Sequence, residues 1–128
     1  MISDEGIAAA VQWWNESWML DDKRDAFKHA LESVIRRDVE QHGKCHMYMD
    51  YDPQGPLLEA VCAAGVECRG AFFSGDGLFR WRKNGLDVEE ARVTAKHGYG
   101  QEYLEIWPNR DPSLPAVDVK VAQKGSAA

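Results

Sequence analysis

The chain has 128 residues, 45 % of them hydrophobic, and carries 15 Lys and Arg against 21 Asp and Glu, a formal charge of −6. That length suits one domain with its own core, and the acidic balance argues against a surface that wraps nucleic acid, because phosphate binding rests on clustered cations. No apolar run reaches the roughly 18 residues of a transmembrane helix, no basic-then-apolar leader is expected at the start, and three Cys without scaffold spacing point to a reducing cytosol.

Residues 3 to 18 read as a helix. Ser3 or Asp4 supplies the N-cap, accepting from backbone N–H groups that have no intrahelical partner. Ile7, Val11, Trp14 and Trp18 recur at spacings of four, three and four, one apolar stripe. Trp13 lies about 100° from Trp14 on a 3.6-residue helix, so one of the two is expected to be lateral or exposed. A link at Met19 and Leu20 leads to a second helix over 21–42, capped by Asp21 and Asp22 and striped by Phe27, Leu31, Val34, Ile35 and Val39. Gly43 is its stop.

The period then changes from 3.6 to 2. Cys45, Met47, Met49 and Tyr51 alternate with His46, Tyr48 and Asp50, as on the two faces of a strand. Asp52 and Pro53 read as a turn and cap, with Pro53 and Pro56 opening a short helix whose apolar residues are Leu57, Leu58, Val61 and Cys62. A second strand is predicted over 66–73, a turn at SGDG (74–77), and a third strand at 78–82 ended by Asn84-Gly85. Residues 88–96 and 102–107 form the expected last hairpin, around HGYG. The sum is an α+β fold: an antiparallel helix pair (1–43), then a strand–helix–strand unit and an antiparallel meander (44–108), with helices on one face of a small sheet. A flexible tail is expected over 109–128.

Several constellations invite chemistry. Cys45, His46, Cys62 and Cys68, with His42 nearby, offer zinc-type donors, but structural zinc uses close-spaced ligand pairs. Cys45 and His46, adjacent on a strand, point to opposite faces. No metal, cofactor or nucleophile is therefore expected, nor an enzyme. Asp50, Asp52 and Glu59 form no separated acid/base pair legible in sequence. SGDG and HGYG lack the spacing of a phosphate loop. Arg80, Arg82 and Lys83 around Trp81 are the basic cluster, an alternative nucleic-acid surface with Arg92 or Lys96 in support. The N-terminal 43 residues hold 9 acidic and 5 basic side chains beside three Trp. Trp13, Glu16, Asp21, Asp22 and Asp25 are accordingly the candidate partner-binding set, since Trp favours interface cores and acidic charge steers a basic partner.

The stretches IAAAVQWW (7–14), DYDP (50–53), AAGV (63–66) and KHGYG (96–100) together resemble a set of small accessory proteins of bacteriophages and prophages. Members open on a helix reading roughly QIAAAVxWW and finish with a strand leading into a GYG turn. The resemblance runs to about Tyr103 and nominates no catalytic residue. It implies a phage or mobile-element origin and, by class, an inhibitor of host machinery, anti-CRISPR proteins among them. The expected function is binding of a host protein in the host cytoplasm, with a CRISPR effector subunit among the candidate partners and a basic nucleic-acid-binding surface as the target.

Overall fold

Ser3 opens α1 (Asp4–Asn15), its hydroxyl accepting from the Gly6 N–H at 3.1 Å while Asp4 and Glu5 occupy the positive end of the helix dipole. The computed structural model describes residues 2–50, 52–66, 78–79, 83–98 and 101–114. After α1 come a 3-10 turn (Asp21–Lys23), α2 (Arg24–His42), β1 (Lys44–Asp50), β2 (Asp52–Gln54), α3 (Pro56–Ala63), β3 (Gly85–Glu89), β4 (Val93–Lys96) and β5 (Leu104–Trp107). The fold is α+β. Its described strands form one antiparallel sheet in the order β2-β1-β3-β4-β5.

Register divides the sheet into two faces. Cys45 pairs with Val88, Met47 with Leu86, Leu86 with Ala95 and Val88 with Val93, and all of these are buried against the helices. α1 packs over β3, β4 and β5, α2 over β1 and β3, and α3 over β1 and β2. Residues one step along each strand, among them Lys44, His46, Tyr48 and Asp50, face outward, as the period-2 pattern requires.

The helix pair is antiparallel: Trp18 stacks on Phe27 at one end, with ring centroids 3.8 Å apart, while Asp4 meets Arg36 at the other. α1 ends at Asn15, three residues before the predicted end, because Arg24 reaches into the turn. Its guanidinium donates to the Asn15 carbonyl at 2.7 Å, the Trp18 carbonyl at 2.8 Å and Asp21 Oδ1 at 2.8 Å. A buried cation thus satisfies carbonyls that a helix terminus leaves open. At the end of α2, Gly43 takes φ +76° and closes the helix through a bond to the Val39 carbonyl, the stop predicted for it.

Several sequence expectations change. Asp52 and Pro53 do not cap α3: they form β2, which folds straight back on β1, and Gly55 precedes the helix without any side-chain cap. Cys62 is exposed, since α3 buries Leu57, Ala60 and Val61, and residue 62 lies a further 100° round from 61. Residues 88–96 are not one arm; Glu89 and Arg92 close a turn there, and Asn84-Gly85 opens β3 instead of ending a strand. Leu114, the last described residue of the expected tail, joins the core. Residues 67–73 of the strand predicted over 66–73, the SGDG turn and residues 80–82 lie outside the described residues, as do Tyr51, Tyr99, Gly100 and the tail from 115.

Candidate functional site

Trp13 is 2 % exposed and Trp14 fully buried. The 100° between them is absorbed because α1 is covered on two sides: Trp14 faces Phe79, and Trp13 faces His97 from the end of β4. The Trp13 indole N–H donates to His97 Nε2 at 3.2 Å. Lys83 completes the group, with its ammonium 4.3 Å from the Trp13 ring centroid and donating to the Trp13 carbonyl and the Glu16 carboxylate. The Lys83 and Glu16 side chains are 1 % and 5 % exposed.

Electrostatics follow from that burial. Desolvation pulls the Lys83 ammonium down to about 8 despite the opposing pull of Glu16. Desolvation, with Lys83 and Arg110 adding positive charge, pulls His97 down to about 4. With Nε2 accepting from Trp13, the neutral imidazole carries its proton on Nδ1, a buried atom without a hydrogen-bond partner among the described residues. The Lys83–Glu16 pair is a buried tie between α1 and the residues leading into β3.

Two proposed sets are thereby revised. Trp13 and Glu16 leave the partner-binding surface because they are core, and Lys83 leaves the basic strand because its charge is buried and matched. Arg80 and Arg82 lie outside the described residues. Asp21 bonds Arg24, whereas Asp22 and Asp25 are exposed at the start of α2, near exposed Met19. Cys45 points into the core, where burial pushes its thiol up to about 12, and His46 points out. Among the described residues no three His, Cys, Asp or Glu side chains are grouped to hold a metal ion.

The outward face of the sheet gathers what the sequence left scattered. Met19, Tyr48 and Tyr103 are the exposed large hydrophobic residues among those described, at 44 %, 39 % and 36 %, and both tyrosines are on this face. His46 stands between them. Its ring lies 5.1 Å from Tyr48, near-parallel at 25°, and 6.4 Å from Tyr103. Asp87, directly opposite on β3, holds His46 Nδ1, leaving Nε2 without that constraint. Tyr103 reaches toward β3 because Gly85 has no side chain: a Cβ there would run into the Tyr103 hydroxyl. Partial burial and the charge of Asp87 both raise the Tyr103 hydroxyl above its ordinary value.

Beside Tyr48, Asp50 and Asp52 face each other directly across the β1–β2 hairpin. Like charges in that relation are unfavourable. Glu89 and Glu105 add further carboxylates, and Lys44, Lys96 and Arg92 are the cations around the strip, Arg92 being engaged by Glu89 at 3.2 Å. Tyr103, Gly85 and Asp87 were invisible as a site in sequence. The available signals were the outward step of His46 and Tyr48 and a glycine at a strand position.

Comparison with protein-family models, with curated proteins and with solved structures finds no match to this chain. No helix among the described residues is long and apolar enough to cross a membrane.

Proposed function

We propose that this chain is a small acidic binding protein that docks a basic protein surface with the outward face of its sheet. The observation that supports this most directly is the Tyr48–His46–Tyr103 strip, exposed on a face that no described helix covers and bordered by carboxylates. Tyr supplies large, amphipathic contact area and is favoured at interface centres, while the charge of −6 steers approach to a basic partner. Asp22 and Asp25, exposed on the helical layer, add negative charge that contributes to steering and not to the contact itself. The resemblance to phage accessory proteins supports a host target, and a surface that otherwise holds nucleic acid, as on a CRISPR effector subunit, has the required sign of charge.

The test is capture from host extract on immobilised protein, with captured proteins identified by mass spectrometry and challenged with added duplex DNA or RNA. The proposal expects a basic, nucleic-acid-binding protein that nucleic acid displaces. It also expects a Tyr48→Ala, Tyr103→Ala variant to lose it and an Asp22→Lys, Asp25→Lys variant to weaken it. Equal capture by the tyrosine variant, or recovery of no basic protein, would overturn it. Burial of Lys83 leaves the alternative nucleic-acid surface without one of its three cations.

A further inference from the structure

Resting on that docking proposal, we infer that the strip recognises an arginine side chain of the partner, laid flat on the face of Tyr48 that His46 leaves open, with its nitrogens turned to Asp50 and Asp52. Three features select arginine. Tyr48 and His46 stack on one another at 5.1 Å, which leaves the Tyr48 face turned away from His46 as a π surface of the kind a guanidinium stacks on. Asp50 lies two residues beyond Tyr48 on the same face, hence roughly 7 Å along the strand. Asp52 opposes Asp50 in the hairpin register. Asp52 Oδ1 is buried, so a guanidinium on Tyr48 is within reach of the Asp50 carboxylate and the other Asp52 oxygen, and its fork of donors matches two acceptors at once. An ammonium is a compact, strongly hydrated point charge and gains less from a ring face.

The surrounding groups agree. Asp87 is held against His46 and adds negative charge under the strip, and Gly85 lets Tyr103 close its far end. The same carboxylates repel phosphate, so a nucleobase stacked here would bring its backbone against like charge. The site is a face, not a cavity, which suits a side chain delivered by a protein surface.

The experiment uses the full chain and two blocked peptides of equal charge, hexa-arginine and hexa-lysine, titrated by NMR with backbone amides as reporters. Equal charge makes the affinity ratio insensitive to general attraction. The expected result is binding of the arginine peptide about fivefold tighter, with the largest shifts in β1, β2 and β3. Tyr48→Phe should keep the ratio and Tyr48→Ala bring it to about one, while Asp50→Asn, Asp52→Asn should weaken both peptides. Equal affinities for the wild type, shifts centred elsewhere, or tighter binding of a single-stranded oligonucleotide to these amides would overturn the inference. The wild-type ratio requires no variant to fold. A captured basic partner combined with no arginine preference would remove this inference and leave the docking proposal standing; arginine preference with no basic partner captured would do the reverse.

Discussion

Replacing Lys83 by Met should remove a buried cation and leave the Glu16 carboxylate without its partner. The two side chains are 1 % and 5 % exposed, and Lys83 also holds the Trp13 carbonyl and covers the Trp13 ring. Breaking one side of such a pair costs about 3–5 kcal/mol, because the remaining charge keeps its desolvation penalty and loses its compensation. Against a total stability of about 5–15 kcal/mol, that lowers the urea midpoint by about 2 M. Glu16→Leu should cost a similar amount at pH 6, and less as pH rises, since the uncompensated amine can shed its proton. The double variant should cost about 2–4 kcal/mol less than the sum of the singles, because two well-packed apolar side chains need no compensation. Urea unfolding followed by tryptophan emission measures all three, with Trp13 against Lys83 as the local reporter. Additive singles, or a Lys83→Met cost below about 1 kcal/mol, would refute the role given to this pair. The wild type offers a sign check. Folded Lys83 titrates at about 8, below the ordinary 10.5, so the unfolded chain holds the extra proton between those values. Stability contributed by this group should therefore rise with pH across that window, and Lys83→Met should remove the rise.

His97 gives a slope of the same sign in a lower pH window. Its folded value is about 4 against an ordinary 6.5, so stability should fall as pH drops through that interval, by about 1–2 kcal/mol after allowance for partial exposure; thermal melts of wild type and His97→Gln between pH 7 and 4 check it, and the variant should lose most of the slope. Gly85→Ala should displace Tyr103 and cost about 1–3 kcal/mol, most of which a Tyr103→Ala background should restore, as chemical denaturation of the double variant would reveal. Arg24→Met should cost about 3–5 kcal/mol by stripping Asn15, Trp18 and Asp21 of a shared buried donor, and Arg24→Lys should rescue little because one ammonium cannot span them. Native-state alkylation followed by peptide mapping should label Cys62 and spare Cys45; labelling at Cys45 at a comparable rate would contradict its burial.

Local physics was legible in the sequence. A shift from period 3.6 to period 2 at Lys44 marks helix giving way to strand, and it placed Cys45 and Met47 on one side and His46 and Tyr48 on the other without any tertiary information. Ser3 and Gly43 bound their helices for reasons confined to a few residues of backbone. Turn chemistry was less legible: Glu90 and Ala91 carry no glycine or asparagine signal, so the β3–β4 hairpin was concealed, and Asp52-Pro53 has the same composition whether it caps a helix or starts an edge strand.

Tertiary structure alone decided which side chains are available. Trp13, Glu16 and Lys83 are a plausible surface set by type, yet 70 residues of sequence separate Trp13 from the Lys83 that buries with it, and neither position announces the other. Burial depends on what packs opposite, a quantity set by strand order and helix placement and absent from any local window. The same holds for the open face. His46, Tyr48, Asp87 and Tyr103 come from three separate segments, and antiparallel register across β1, β3, β4 and β5 is what makes them neighbours. Sequence fixes the alternation within each strand because the chain's own geometry imposes it; only pairing between distant strands brings the alternating residues into one site.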